Sequence, residues 1–175
     1  MPIRSLIRTI PNYPKHGVMF RDITTLLKDP AGFQRAIGDL VQRYKGWPLD
    51  KVAAIESRGF IIAAALAYQL GAGFVPLRKK GKLPAQTVGR DYELEYGAER
   101  IEMHVDAVAP GERILLVDDL IATGGTAEAA ALLIRDIGGT IVECAFIIEL
   151  PELGGRKRLE AIGLDVFALV TFEGH

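Results

Sequence analysis

The sequence predicts an α/β fold in which a parallel sheet core is flanked by helices. Two short apolar runs, 52–55 and 114–117, are each followed by a polar turn and then by a helical pattern. Apolar runs without alternation are typical of strands that helices cover on both faces. A further apolar run at 140–149 follows the second helical pattern and completes a strand–helix–strand unit, whose connection should be right-handed. Strands that alternate with helices in this way favour a parallel sheet.

The length and composition fit one soluble domain over residues 1–175. The chain is 49% hydrophobic and 25% charged, so it can form a core and gives no sign of disorder. Its net charge of -1 creates no global attraction to nucleic acid or to a membrane surface. The most apolar stretch, 60–70, is shorter than the ~18 residues that a membrane span requires. The only cysteine, Cys144, cannot form an internal disulfide, which fits a cytoplasmic protein.

The first long helix is expected after an irregular N-terminal segment, residues 1–28. A short helix is predicted at 5–9, whereas 18–24 is apolar and charged at once and too short for an independent element. Asp29 and Pro30 then begin the long helix, because aspartate caps helix N-termini and proline suits the first helical position.

The first strand–turn–helix unit carries a turn suited to an anion. Glu56, Ser57 and Arg58 follow the apolar run at 52–55 and precede a helical pattern. A helix N-terminus carries roughly half a positive charge and attracts anions. Arg58 adds a fixed charge that can bind phosphate oxygens with two parallel hydrogen bonds.

A cationic run and a hairpin pattern follow the next short strand, 74–77. Four of the five residues at 78–82 are cations, which in an otherwise neutral chain fits a site for a highly charged anion. Apolar and polar residues then alternate over 91–96 and again over 101–106, with Gly97 between the two segments. Period-two alternation on both sides of a turn predicts a β-hairpin. A hairpin beside a cationic patch is suited to act as a lid.

The stretch 114–126 reads I-L-L-V-D-D-L-I-A-T-G-G-T and is the most informative part of the chain. Its two aspartates are expected directly after the strand, at the sheet edge where open α/β sheets bind ligands. The glycine turn after them presents backbone N–H groups at a helix N-terminus and suits a phosphate. The carboxylates suit sugar hydroxyls or a hydrated Mg²⁺ instead. Together they predict a ribose 5-phosphate site. Its expected residues are Asp118, Asp119, Ala122, Thr123, Gly124, Gly125 and Thr126.

This stretch resembles the signature of the type I phosphoribosyltransferases over its whole length. In the same order as in that family, E-S-R-G-F at 56–60 resembles the pyrophosphate loop, and R-K-K-G-K-L-P at 78–84 resembles the segment before the mobile catalytic loop. The resemblance implies Mg²⁺ bound through substrate and water near the two aspartates, and a homodimer whose interface lies near the cationic run. The pyrophosphate-binding residues that it implies are Ser57, Arg58, Arg78, Lys79 and Lys82.

The N-terminal segment resembles the base-binding segment of the adenine phosphoribosyltransferases. It reads P-K-H-G-V-M-F-R-D-I-T-T-L-L from residue 14 to residue 27. By this resemblance, backbone groups of Met19 and Arg21 read the edges of adenine. Phe20 stacks on the purine, as aromatic rings do favourably.

The hairpin carries the catalytic residue that the resemblance implies. L-E-Y-G at 94–97 resembles the loop of the adenine phosphoribosyltransferases that holds a catalytic glutamate, which here is Glu95. Arg58 is the second implied catalytic residue, because it would stabilise charge on the leaving pyrophosphate.

The resemblance extends from Pro14 to Phe172 and implies both a fold and a reaction. The fold is that of the type I phosphoribosyltransferases, with a small N-terminal hood (residues 1–28) and a mobile β-hairpin lid (residues 78–106). The reaction is purine salvage, in which adenine and phosphoribosyl pyrophosphate give AMP and pyrophosphate.

Three alternatives remain open from the residues alone. A 6-oxopurine phosphoribosyltransferase shares the central motif, but that group carries an aspartate where this chain has Ala122. Orotate as the base fits the N-terminal segment less well. A regulator that binds phosphoribosyl pyrophosphate without catalysis would carry a DNA-binding domain, and no basic recognition helix is evident in the sequence.

Overall fold

The computed structural model of the chain describes residues 1–94 and 97–174. The strands are β1 (Arg8–Pro11), β2 (Met19–Asp22), β3 (Lys51–Ile55), β4 (Gly73–Lys79), β5 (Thr87–Leu94), β6 (Gly97–His104), β7 (Arg113–Ile121), β8 (Thr140–Glu149) and β9 (Val166–Thr171). The α-helices are α1 (Thr24–Leu27), α2 (Pro30–Tyr44), α3 (Arg58–Leu70), α4 (Gly125–Asp136) and α5 (Gly155–Glu160), and short 3-10 helices cover Ile3–Leu6 and Pro151–Leu153.

The described residues form a seven-stranded sheet with the strand order β5-β6-β4-β3-β7-β8-β9. Five neighbouring strands of this sheet, β4, β3, β7, β8 and β9, run parallel. The β5–β6 hairpin joins the free edge of β4 in the antiparallel direction. The predicted α/β fold with a parallel sheet core and flanking helices is therefore confirmed.

Both faces of the central strand β7 are buried, which explains its unbroken apolar run. Leu115 and Val117 pack into the core on the side of α2 and α3. Ile114 and Leu116 pack into the core on the side of α4. Since successive strand residues point to opposite faces, a strand covered on both sides needs apolar residues at every position.

The start of α2 and the whole of β8 lie where the sequence predicted them. The carboxylate of Asp29 accepts a hydrogen bond from the N–H of Gly32 at 2.8 Å and caps the helix that begins at Pro30. Cys144 on β8 is fully buried, as expected for a small core residue. Among the described residues, none of the helices combines the length and the apolar composition that crossing a bilayer demands.

The N-terminal hood differs from the prediction. The helix expected at 5–9 is wrong, because a 3-10 helix ends at Leu6 and β1 follows. The segment expected to form no element contains β2, which pairs with β1 in a separate antiparallel sheet. Arg8 strengthens the pair by an ion pair of 2.5 Å to Asp22. Four residues cannot stabilise a strand by themselves, but a partner strand supplies the missing hydrogen bonds.

Two strands are longer than the sequence predicted. Asp118 and Asp119 lie within β7 rather than after it, because pairing with β8 continues as far as Ile121 and Glu149. The hairpin begins at Thr87 rather than at residue 91, since β6 offers a partner along the whole of β5.

Candidate active site

A cleft of about 520 Å³ opens at the carboxyl ends of β3 and β7. Its walls are residues 55–58, Lys79, four hairpin residues (Tyr92, Leu94, Glu99 and Ile101) and residues 118–127. The cleft therefore brings together the two turns that the sequence predicted to bind anions. The carboxyl ends of the strands are the usual ligand site of open α/β folds.

Asp119 and Arg58 form an ion pair inside the cleft. The guanidinium Nε of Arg58 donates to Oδ2 of Asp119 at 2.6 Å, and Asp119 is only 7% exposed. Burial acts to lower the pKa of Arg58, but the hydrogen bond and the charge of Asp119 outweigh it and raise that pKa. The same guanidinium lies 5.7 Å from the centre of the Phe20 ring. Arg58 thus connects the acid pair to the expected base-binding segment.

Among the described residues, no cation donates a hydrogen bond to Asp118, although the charge of Arg58 acts to lower its pKa. One of its oxygens accepts the backbone N–H of Asp119 at 2.8 Å. Burial and then the negative charge of Asp119 raise the pKa of Asp118 well above its usual value. A carboxyl group with a raised pKa in a cleft is typical of a functional site.

The turn after β7 offers its backbone to an anion. Helix α4 begins at Gly125, and no described side chain caps its first turn. Gly124 has a φ of 86°, a left-handed conformation that glycine adopts without strain. The N–H groups of this first turn face the cleft without an internal acceptor from a side chain, which suits a phosphate.

Of the predicted cationic residues, the structure places Lys79 in the cleft wall and Arg78 and Lys82 outside it. Glu56, which the sequence analysis included in the E-S-R-G-F motif without assigning it a role, holds the end of β4 in place. Its carboxylate accepts the N–H of Lys79 at 2.7 Å and a guanidinium N–H of Arg78 at 3.4 Å. Burial acts to raise the pKa of Glu56, but these hydrogen bonds outweigh it and lower that pKa. Its place in the E-S-R-G-F motif was the signal in the sequence that could have pointed to this role.

The expected base-binding residues lie together on β2, beside the cleft rather than in its wall. Met19 is partly exposed, and Phe20 packs edge-on against Tyr13 at 5.2 Å between ring centres. The side chain of Arg21 donates to Oγ1 of Thr9 at 2.6 Å and to the carbonyl of Glu173 at 3.0 Å. The Arg21 side chain is therefore engaged with the hood and the C-terminus.

The hairpin covers the cleft with a mixed surface. Tyr92 and Leu94 on β5 line it, and so does Glu99, which lies opposite Tyr92 on β6. Sequence reasoning missed Glu99, although its register with Tyr92 places the two on one face. The predicted catalytic residue Glu95 lies outside the described residues.

Comparison with known sequences places the chain in a family. The model of the phosphoribosyl transferase domain matches residues 22–170. The adenine phosphoribosyltransferase of Nitrosospira multiformis is 67% identical over the whole of both chains. That of Methylobacillus flagellatus is 62% identical, with 99% of this chain and 98% of the relative covered.

Comparison with solved structures gives the same result. The crystal structure of adenine phosphoribosyltransferase from Thermoanaerobacter pseudethanolicus matches with a TM-score of 0.93 and 49% identity, covering 97% of this chain and 98% of that one. The Saccharomyces cerevisiae enzyme, solved with an imino-altritol bisphosphate and adenine, matches with a TM-score of 0.90 and 36% identity, covering 96% of each chain. With the motifs, the fold and the cleft in agreement, the chain belongs to the adenine phosphoribosyltransferases of the type I phosphoribosyltransferase family.

Proposed function

We propose that this protein transfers the phosphoribosyl group of phosphoribosyl pyrophosphate to adenine, forming AMP and pyrophosphate in purine salvage. The observation that carries the proposal is the joining, in one cleft, of the uncapped N-terminus of α4, the acids of β7 and Arg58. Relatives named adenine phosphoribosyltransferase at 67% and 62% identity support adenine as the base.

The turn at 122–126 binds the 5-phosphate, and the acids bind the ribose. The phosphate accepts hydrogen bonds from the backbone N–H groups of the turn and from the hydroxyls of Thr123 and Thr126. Asp118 and Asp119 accept hydrogen bonds from the two ribose hydroxyls. The separation of roles follows from charge, since a carboxylate repels a phosphate but accepts from a hydroxyl.

Cations and the turn at Ser57 bind the pyrophosphate. Arg58 and Lys79 lie in the cleft wall already. Arg78 lies next to Lys79 at the end of β4, and Lys82 lies just after that strand. Both add positive charge around the leaving group. Positive charge at this place stabilises the transition state because negative charge develops on the departing pyrophosphate.

Magnesium fits this cleft through substrate and water. Among the described residues, no group of three or more His, Cys, Asp or Glu side chains is placed to hold a metal ion. Asp118 and Asp119 nevertheless line the cleft with carboxylate oxygens, the donor type that hydrated Mg²⁺ prefers, and would hold its water shell. When bound with the pyrophosphate, Mg²⁺ supplies charge neutralisation to the leaving group.

The base lies between Phe20 and the ribose site. Phe20 stacks on adenine, and backbone groups of Met19 and Arg21 read its edges. N9 attacks the anomeric carbon, the bond from that carbon to the pyrophosphate oxygen breaks, and Glu95 accepts the proton that the imidazole ring loses. The hairpin keeps water from the ribose while it carries cationic character.

The working form is a cytoplasmic homodimer. The single cysteine is buried on β8 and forms no disulfide within the chain, which supports a reducing compartment. An exposed apolar groove between α2 and α3, on the other side of the sheet from α4, supports assembly with a second copy.

A purine panel tests the proposed reaction. With phosphoribosyl pyrophosphate and Mg²⁺, adenine is expected to give AMP rapidly, whereas hypoxanthine and guanine should give little nucleotide. Ala122, where the 6-oxopurine enzymes carry an acid, is the motivating residue. Comparable turnover of hypoxanthine or guanine contradicts adenine as the base, and absence of turnover with every base contradicts catalysis.

A further inference from the structure

The turn at 122–126 rests on the beginning of α5, which lies far away in the chain. The N–H of Gly155 donates to the carbonyl of Ala122 at 3.0 Å. A Cβ atom on Gly155 would lie 2.6 Å from that carbonyl oxygen and 2.6 Å from the side chain of Ile121. A Cβ atom on Gly124 would likewise lie 2.9 Å from the Cα of Gly155. The two backbones therefore touch at a distance that only glycine permits at both positions.

An ion pair with the buried Glu149 fixes the residue that follows Gly155. Arg156 donates to both carboxylate oxygens of Glu149, at 3.0 and 2.8 Å, and to the carbonyl of Val166 at 2.6 Å. Glu149 is only 5% exposed and is the last residue of β8. In the sheet it lies opposite Ile121, the last residue of β7 before the turn. Arg156 thereby attaches the start of α5 to the strand ends from which the turn emerges.

We infer that Gly155, held in place by Arg156 and Glu149, is a positioning residue for the 5-phosphate. The inference rests on the proposed function, because it assumes that the turn binds that phosphate. None of the three residues lines the cleft. Their contribution is to hold the carbonyl of Ala122, and with it the N–H groups of the turn, in one place before the ligand arrives.

Preorganisation of the turn should increase the affinity for ligands that carry the phosphate and should hardly change the affinity for ligands that lack it. The N–H groups at the start of α4 must converge on one point to bind an oxyanion well. Displacing the turn by the width of a methyl group misaligns them, while the acids of β7 stay in their strand. A ligand without a phosphate should therefore bind as before.

The decisive variant is Gly155→Ala, with AMP and adenosine as probes, because the two differ only in the phosphate. Calorimetry with the wild-type protein should show tighter binding of AMP. In the variant we expect the Kd of AMP to rise about tenfold, corresponding to one lost charged hydrogen bond, and that of adenosine to stay unchanged.

Gly139→Ala is the matched control. A Cβ atom there would also clash, at 2.7 Å from the side chain of Ile134, but it lies beyond the opposite end of α4 from the turn. Both substitutions should lower the melting temperature, and only Gly155→Ala should weaken the binding of AMP. If both substitutions raise the Kd of AMP alike, the contact at Gly155 is merely structural and the inference is wrong.

A second variant keeps the test decisive if Gly155→Ala does not fold. Glu149→Gln keeps the side-chain volume and removes the charge that holds Arg156. It should lower the affinity for AMP severalfold and leave adenosine unchanged; an unchanged AMP affinity overturns the inference. A wild-type protein that binds AMP no better than adenosine would instead overturn the phosphate site itself, and with it the proposed function.

Discussion

Two adjacent and chemically identical side chains, Asp118 and Asp119, experience different electrostatic environments. Asp119 has the guanidinium of Arg58 at 2.6 Å. Asp118 lies beside the charge of Asp119, and partial burial together with that charge raises its pKa. A carboxyl group whose pKa is raised by folding destabilises the folded state when it is ionised, so we interpret Asp118 as a residue retained for binding rather than for stability.

We predict that Asp118→Asn raises the melting temperature, and does so more at about pH 8 than at about pH 4. Well below the ordinary pKa of 3.8, the carboxyl group is protonated in the folded and the unfolded chain, so the charge has little effect. As the pH rises towards the raised pKa, the unfolded chain releases its proton first and is favoured. Asparagine has no proton to lose and escapes this effect. Thermal unfolding across the pH range measures the difference.

Asp119→Asn should change the melting temperature in the opposite direction from Asp118→Asn. It removes the negative charge that pairs with the half-buried guanidinium of Arg58, so the melting temperature should fall. A stability difference between wild type and Asp118→Asn that does not change with pH contradicts the interpretation of Asp118. Both variants should bind phosphoribosyl pyrophosphate more weakly, since each loses a charged acceptor for a ribose hydroxyl.

At the scale of elements, the described part of the β5–β6 hairpin pairs with β4 at its base, and Arg90 of β5 donates to the carboxylate of Asp136 on α4 at 3.1 Å. Its register with β4 pairs Arg78 with Glu102 and Lys79 with Ile101. Glu102 strengthens this base, because it accepts the N–H of Gly81 at 3.0 Å and that hydrogen bond lowers its pKa. The cationic turn and the base of the hairpin are thus one connected unit, and the hairpin contributes Tyr92, Leu94, Glu99 and Ile101 to the cleft wall.

We predict that Glu95→Gln lowers the single-turnover rate by ~10² to 10⁴, the usual contribution of a general base. Glutamine keeps the size and the hydrogen bonding of glutamate but cannot take the proton of the purine ring, so substrate affinities should stay nearly intact. Glu93→Gln is the matched control, since Glu93 is an exposed acid on the same hairpin and does not line the cleft. A rate for Glu95→Gln within about threefold of wild type would rule out the proton role.

The sequence predicted those elements whose signal is local. The cap at Asp29 and the apolar run of β8 have the same meaning in any surroundings, and both were placed correctly. The existence of β2 and the continuation of β7 beyond Asp119 depend on partner strands that local patterns do not reveal. Strand pairing, which the pattern of a single segment does not show, decides such segments.

The same distinction applies to the site. The cleft contains the acids, the glycine turn, Ser57, Arg58 and Lys79, all of which belong to contiguous motifs. Sequence reasoning assigned no role to Glu56, Glu99 or Gly155, because their importance comes from contacts across the fold rather than from neighbours in the chain. Gly155 in particular gives no sign in the sequence that its backbone touches Gly124.

At the scale of the whole molecule, the chain has a polar cleft at the carboxyl ends of its parallel strands and an apolar groove on the outer surface of α2 and α3. The groove is about 750 Å³ in volume and includes Phe33, Ile37 and Val41 from α2 and Ala65 and Tyr68 from α3. Tyr68 is 84% exposed, an unusual state for a tyrosine beside so many apolar neighbours.

We expect the second copy to bind at this groove, which contains none of the cationic residues at 78–82 near which the resemblance placed the interface. In a two-fold dimer the same surface meets itself, and the small alanine side chains of α3 allow two such helices to approach closely. Helix α3 begins at Arg58 in the cleft, so an interface along α3 would also hold the pyrophosphate turn in place. Assembly and catalysis should therefore be linked through this helix.

We predict that the wild-type protein has a mass in solution of about twice 19.1 kDa and that Tyr68→Glu reduces it to the mass of one chain. Two buried carboxylates meeting near the axis would repel each other and lose their hydration. Val105→Glu is the control, because Val105 is 40% exposed and lies outside the groove. Light scattering at the concentration of the activity assay measures the mass. A stable wild-type monomer with full activity contradicts both the interface and its link to Arg58.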